Sequence, residues 1–253
     1  MKQFRLIVDR LPKDAFTNMA IDEAICKMHY LIKKPTVRFY SWKPAAISIG
    51  YFQGLTEEVD TKKCSELCID VVRRITGGGA VFHDAELTYS FVCSEESGLV
   101  SKNILESYKK ICNSLILGFK ELGLNAMFVP LNDIIANGKK ISGNAQTRKE
   151  KNVLQHGTIL IGVDVDKMFS LLLVPYEKLK GKMIENVKQR VTSVENELKR
   201  NVSFEEIANA MKKGFEENFG VELIEEELSE EEKNLAAKIR EERFSKEEWN
   251  YKR

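Results

Sequence analysis

Long apolar runs are missing from this sequence, and so is any excess of charge of one sign. No stretch approaches the ~20 apolar residues that a bilayer requires, and the polar start 1–9 does not have the form of a signal peptide. The expectation is a cytoplasmic protein. Lys and Arg number 39 against 38 Asp and Glu, a formal charge of +1. That balance lacks the footprint of a nucleic-acid binder or a polybasic membrane surface, so neither nucleic acid nor membrane is an expected partner. Cysteine is scarce and unpatterned. Cys26, Cys64, Cys68, Cys93 and Cys112 are an odd number, and only Cys64 and Cys68 lie close together, with no matching histidine pair. Reduced, packed thiols are expected rather than disulfides or zinc ligands. No repeat or low-complexity linker divides the 253 residues, of which 43% are hydrophobic, so one unit spanning 1–253 is expected.

What is present alternates between two periods. Gln3 to Val8, Thr36 to Trp42, Ala46 to Phe52, Ile69 to Arg74, Leu87 to Val92 and Val153 to Val163 read as strands. Apolar residues recur at helical spacing over Asp22 to Ile32, Glu57 to Leu67, Asn103 to Leu122, Phe204 to Phe219 and Leu228 to Arg243. Gly123 is placed to stop the third, Ser203 to cap the fourth, and Ser229 lies at the start of the fifth. Asp164 caps a short helix that Pro175 ends, and Lys178 to Arg190 reads as a loop or broken helix. Asn137-Gly138 between two β runs favours a two-residue turn with positive φ, which joins Asn132 to Ala136 and Lys139 to Gly143 as a hairpin. In the second strand Lys140 and Ser142 fall on one face and Lys139 and Ile141 on the other, so one lysine points inward. The fold class expected is α+β (α/β), a mainly antiparallel sheet flanked by helices.

The densest chemistry lies in Arg73-Arg74-Ile75-Thr76-Gly77-Gly78-Gly79-Ala80-Val81-Phe82-His83-Asp84. Three glycines without Cβ allow positive φ and close approach to a ligand, and the arginines supply forked cationic donors for phosphate or carboxylate. A strand follows the glycines, which excludes the P-loop and dinucleotide motifs, where a helix follows. Short glycine runs are commonly plain turns; the flanking cations, histidine and carboxylate raise the binding interpretation above that.

Lys140 is ordinarily an exposed strand lysine. Beside the small residues Ser142-Gly143-Asn144-Ala145, with Asn132-Asp133 at the far end of the paired strand, it is instead a candidate for holding negative charge during acyl-phosphate chemistry. His156, in Gln155-His156-Gly157-Thr158, serves either as a proton shuttle or as a hydrogen-bonded core residue, and the core role is the better expectation. Asp133 either pairs a lysine or holds magnesium. The acidic stretch Glu222 to Glu248 reads as a solvated helical face.

Together, Arg73 to Asp84, Asn132-Asp133, Lys139 to Gly143 and His156-Gly157-Thr158 resemble the motifs of the lipoate-protein ligase A branch of the lipoate/biotin ligase and octanoyltransferase superfamily. The resemblance runs nearly end to end, through Glu248-Trp249-Asn250. It implies a class II synthetase-like (biotinyl/lipoyl ligase-like) domain that activates lipoate with ATP and Mg2+ to lipoyl-adenylate. The lipoyl group then passes to a lysine of a carrier domain, a 2-oxoacid dehydrogenase acyltransferase subunit or the glycine cleavage H protein. Lys140 resembles the catalytic lysine that contacts both the acyl carbonyl and the adenylate phosphate. Arg74 and Gly79 to Phe82 resemble the cradle for nucleotide and acyl group. The binding set implied is Arg74, Gly77, Gly78, Gly79, Ala80, Val81, Phe82, His83, Asn132, Asp133, Lys140, Gly143, Ala145, His156, Gly157 and Thr158, with Asp133 near the metal that ATP brings. Many members continue beyond the Trp-Asn end into an accessory domain. This chain resembles the large subunit of a two-component ligase, and a separate accessory subunit is an expected partner.

The rival within the superfamily is a transferase that takes octanoate from acyl carrier protein through a cysteine thioester, without ATP. It requires a reactive thiolate near the lysine. The known placements are the loop before the hairpin, here Asn125 to Pro130, and the approach to His156, here Lys151 to Gln155. Neither holds cysteine, and none follows Cys112. Only Cys93 or Cys112 is left for that role. A non-catalytic lipoate-binding module is a further alternative, against which Lys140 stands.

Overall fold

Period-two alternation in the long strands decides which side chains enter the core and which reach the site. The computed structural model describes residues 2–173, 185–186 and 188–252. Its strands are β1 (Lys2–Val8), β2 (Thr36–Tyr40), β3 (Ala46–Ile49), β4 (Asp70–Arg73), β5 (Val81–His83), β6 (Glu86–Ser94), β7 (Ala126–Val129), β8 (Asp133–Ala136), β9 (Lys139–Lys149), β10 (Asn152–Leu160) and β11 (Val221–Glu225). Eight of them form one sheet in the order β11-β1-β2-β6-β10-β9-β8-β7, and β4-β3-β5 form a second. Only β11-β1-β2 run parallel in the large sheet; every other pairing there is antiparallel.

Helices cover both faces. They are α1 (Ala15–Ile32), α2 (Leu55–Glu58), α3 (Thr61–Glu66), α4 (Ile104–Glu121), α5 (Val165–Leu171), α6 (Val194–Leu198), α7 (Phe204–Phe219), α8 (Glu230–Ile239) and α9 (Glu247–Asn250). On one face α4 and α7 pack against Phe4, Leu6, Leu87, Tyr89, Phe91 and Val153. On the other, α1 and α8 cover Ile7, Tyr40, Val92 and Leu154. The strand residues two on from these, Ser90 and Thr88 in β6 and His156 and Thr158 in β10, lie on that second face, where the small sheet leaves room. The mostly antiparallel sheet flanked by helices is the α+β architecture expected from sequence.

Several elements differ from their sequence expectation for identifiable reasons. Helix α1 starts well before Asp22, capped by Asp14, whose side chain accepts from Thr17 N. Its early turns bury the polar Asn18, Asp22 and Glu23, which hides the apolar stripe. The helix expected over Glu57 to Leu67 is split, because Val59 is extended (φ −132°) and Asp60 caps a new start. The strand expected to reach Phe52 ends at Ile49, where Gly50 and Gln53 close a turn. Strand β11 lies hidden in the acidic stretch, with Val221 and Leu223 inward. That stretch is not only a solvated face. Glu232 is fully buried and receives a two-pronged bond from Arg5, at 2.7 and 2.5 Å. The helix stop at Pro175 and most of the basic stretch from Lys178 fall on 174–184 and 187, outside the described residues.

Within the small sheet, Gly50 just after β3 touches the glycine loop that joins β4 to β5. A Cβ at position 50 would lie 1.9 Å from the Gly78 carbonyl oxygen, which is backbone and cannot step aside. Gly50→Ala is expected to lower Tm by roughly 5–15 °C in a thermal melt; an unchanged Tm would mean that the contact is not held in solution.

Candidate functional site

Arg73 ends β4 and Arg74 follows it, and the two side chains go to opposite destinations. Arg73 is fully buried and binds only structure: its guanidinium donates to the carbonyls of Gly50, Tyr51, Gln53, Trp249 and Asn250, and Trp249 Nε1 returns a bond to Arg73 O at 2.8 Å. The sequence suggested it as an anion donor; the structure makes it the anchor of α9. Arg74 turns the other way and lines a cavity of about 170 Å3 with Gly78, Gly79, Ala80, Val81 and His83. Burial without a carboxylate partner pushes its pKa down to about 10.

Lys140 reaches the same cavity because the hairpin is not regular. Asn137 and Gly138 take φ of 48° and 76°, as the Asn-Gly turn requires. A bulge then shifts the register: Ile134 faces Ser142 while Ile135 faces Lys140, so Ile141 is the extra residue. Ile141 and Ser142 are both fully buried, and the alternation expected across this stretch is broken. Lys140 consequently lies over Gly143, where a Cβ would stand 2.9 Å from its Cε. Its Nζ is 2.7 Å from Asp133 Oδ1. Within the hairpin, Asn144 Nδ2 donates to Asn132 O at 2.9 Å and Asn132 Nδ2 returns a bond to Asn144 O, which ties its two strands together beside the cavity.

A second cavity of about 420 Å3 adjoins the first. Ala80, Val81, Lys140, Gly143 and Thr158 line both, so the lysine stands at the junction. Phe82, Leu160, Val163 and Met168 give the larger lobe an apolar wall. The smaller lobe collects Arg74, Gly78, His83, Asn132, Ala145, His156 and Gly157 from the sequence set. Gly77 and Asp133 line neither lobe and reach the site through Arg74 and Lys140. Met19, Tyr40, Trp42, Ser48, Thr88 and Asn144 line the smaller lobe but were absent from that set. Only Ser48, two residues before the glycine of a turn, and Asn144, inside the small-residue segment, carried any sequence signal.

Both histidines are built into networks. His156 Nδ1 lies 3.2 Å from Asp22 Oδ2 and its Nε2 2.8 Å from Thr76 Oγ1. Burial lowers its pKa, with Asp22 opposing, so the ring is neutral near pH 7. His83 joins Ser48 Oγ and Glu86 Oε1, each at 2.7 Å, and stacks on Trp42 with centroids 4.0 Å apart. No cysteine lines either lobe among the described residues. Cys93 and Cys112 sit in the core, where burial pushes both thiols up to about 12.

The family model of the lipoyl protein ligase A/B catalytic domain matches residues 14–216. The chain belongs to that family. It is 39% identical to an octanoyltransferase LipM of Brevibacillus brevis, over 100% of both chains. A bipartite lipoate protein ligase of Thermoplasma acidophilum, solved in work that included its E2 lipoyl domain, superposes with a TM-score of 0.91 at 32% identity, covering 99% of this chain and 97% of that one. A lipoate-protein ligase A bound with ATP gives 0.85 at 31%, covering 99% of each. The fold is therefore the class II ligase-like one that the resemblance implied, and the chain is an enzyme of the lipoate ligase and octanoyltransferase family. Among the described residues no helix is long and apolar enough to cross a membrane, and no group of three or more His, Cys, Asp or Glu is placed to hold a metal ion.

Two outcomes follow from the geometry. Gly143→Ala meets only the flexible end of Lys140, so its Tm should stay within a few degrees while turnover falls at least ~10-fold as the amine is displaced; full activity would separate Lys140 from the chemistry. The unfolded chain binds a proton at His156 more readily than the fold does. Stability tied to the neutral ring is thus fully present above the ordinary pKa of 6.5 and is lost as pH falls below it. Melts between pH 7 and 5 should show a steeper fall in Tm for the parent than for His156→Gln. His29, also lowered by burial, adds the same slope to both.

Proposed function

We propose that the protein is a lipoate-protein ligase, which joins lipoate to a carrier-domain lysine through an acyl-adenylate. The observation that carries this reading is that two lobes meet at Lys140 and no thiol lines either among the described residues. The small lobe, walled by Met19, Tyr40 and Trp42, takes the acyl chain; the larger one, walled by Phe82 and Met168, takes the nucleoside. The carboxylate and the α-phosphate then come together beside Lys140. A carboxylate oxygen attacks phosphorus, pyrophosphate leaves, and the lysine ammonium holds the charge that passes between the oxygens. The carrier lysine afterwards attacks the acyl carbonyl of the mixed anhydride and AMP departs. Among the described residues Asp133, the carboxylate beside Lys140, would hold the magnesium that ATP brings, which would offset phosphate charge. A separate accessory subunit belongs to this reading, as does the carrier domain.

A second reading is octanoyl transfer from acyl carrier protein without ATP, and the LipM relative, matched over its whole length, favours it. Against it, no thiol lines either lobe among the described residues, and burial raises the pKa of the core thiols Cys93 and Cys112.

The deciding assay supplies lipoate, Mg-ATP and a lipoyl carrier domain, with and without a candidate accessory subunit, and reads the carrier mass. A lipoyl increment is expected only with ATP. Acylation from octanoyl carrier protein without ATP would overturn the ligase reading, and transfer from supplied lipoyl-adenylate alone would confine the chain to the second half-reaction. Lys140→Ala should reduce adenylate formation by at least ~100-fold with the fold retained; unchanged adenylate formation would remove Lys140 from the mechanism.

A further inference from the structure

Arg74 lines the small lobe, yet it has nothing left to give a ligand. A guanidinium carries five N–H donors. Here Nε donates to Thr76 Oγ1 (3.2 Å), Nη1 to Ser48 O (3.0 Å) and Ser48 Oγ (3.1 Å), and Nη2 to Gly77 O and Gly79 O (both 2.8 Å). All five acceptors are neutral, and the residue is only 4% exposed.

The two hydroxyls have their protons committed as well. Ser48 Oγ accepts from Arg74 and lies 2.7 Å from His83 Nε2, while His83 Nδ1 faces Glu86 Oε1. With Glu86 Oε1 as the acceptor, Nδ1 is assigned the ring proton, and the Ser48 hydroxyl is assigned as donor to Nε2. The same logic runs from Thr76 through His156 to Asp22. Two hydroxyl-histidine-carboxylate relays therefore start at one guanidinium, and every proton in them points away from it.

The glycine loop receives the consequence. In a trans peptide the carbonyl and the N–H point in opposite directions. With the Gly77 and Gly79 carbonyls turned onto Arg74, the N–H groups of Gly78 and Ala80 point away from it. Both residues line the lobe, and neither N–H has a protein acceptor among the described residues.

We propose that Ser48 and Thr76 are positioning residues: they hold Arg74 so that the Gly78 and Ala80 amides of the glycine loop are aimed into the lobe. Arg74 acts through the loop and through its charge, not by contact. This rests on the proposed reading that the loop cradles a carboxylate or phosphate, and backbone donors of this kind are an established device for holding such groups.

The test begins without any ligand. Backbone 15N order parameters over residues 77–81 are compared in the parent protein, Ser48→Ala, Thr76→Val and Thr76→Ser, alongside far-ultraviolet circular dichroism to confirm the fold. The values should fall from ~0.85 to below ~0.6 in Ser48→Ala and Thr76→Val, and stay near the parent value in Thr76→Ser, which keeps the hydroxyl. In the adenylation assay with lipoate as the acid and the candidate accessory subunit present, the first two variants should raise KM by ~10-fold while kcat moves less than ~3-fold. Unaltered order parameters in both variants would overturn the proposal, and so would an acyl ester on Ser48 detected by mass, since that would make the residue a nucleophile. Should Ser48→Ala fail to fold, Thr76→Val against Thr76→Ser decides alone. If the parent makes no adenylate even with the candidate accessory subunit, the activation step of the ligase reading falls while the order-parameter comparison still judges the loop.

Discussion

Adjacent arginines at the end of a strand must point to opposite sides of the sheet, and the site depends on how this chain uses that constraint. Arg73 goes outward into the carbonyls of the Gly50 turn and of Trp249-Asn250, while Arg74 goes inward beneath the glycine loop. One side chain thereby ties the last helix to the small sheet, and its neighbour shapes the cavity. Gly50 completes the link, since the space a side chain would need there is filled by the Gly78 carbonyl. The loop is gripped from below and from behind, which leaves its remaining surface for a ligand.

Buried charge is managed by networks rather than by isolated pairs. Arg38, fully buried, is shared by Asp9 and Asp22, and Asp22 also accepts from Tyr40, Ser90 and His156. Breaking such a cluster leaves an uncompensated charge out of reach of water, so its members are held in place more firmly than their net stabilisation suggests. Asp22 and Arg38 stand behind the floor of the small lobe. The polar floor is thus rigid before any substrate arrives, as electrostatic catalysis requires.

The sequence made some of this visible and concealed the rest for physical reasons. Strand alternation in Leu87 to Val92 and the Asn137-Gly138 turn are local signals, and both elements form where they indicate. The glycine segment, Lys140 and His156 were recognisable as one constellation because small residues and cations beside one another have few plain uses. Helix α1 was foreshortened because Asn18, Asp22 and Glu23 are polar residues doing the work of core residues. Glu232 looked like one more surface carboxylate; its partner Arg5 is distant in sequence, and no local pattern reports that pairing. Arg73 was misjudged for the same reason, since its partners lie in the Gly50 turn and at Trp249-Asn250. Trp42 and Met19 enter the lobe only through tertiary packing. The family motifs, for their part, do not distinguish activation by ATP from transfer between carriers, because one cavity wall suits both.

The bulge at Ile141 has an arithmetical consequence. In a regular strand, Lys140 and Gly143 would face opposite sides, because three steps reverse the direction of a side chain. One extra residue restores them to the same side, so the amine comes to rest over a glycine. The identity of Lys140 is therefore only half of what places a positive charge at the junction of the two lobes. The other half is parity. A chain that kept every motif residue but lost one position between the turn and Gly143 would present a different side chain to the cavity while appearing, residue by residue, almost unchanged.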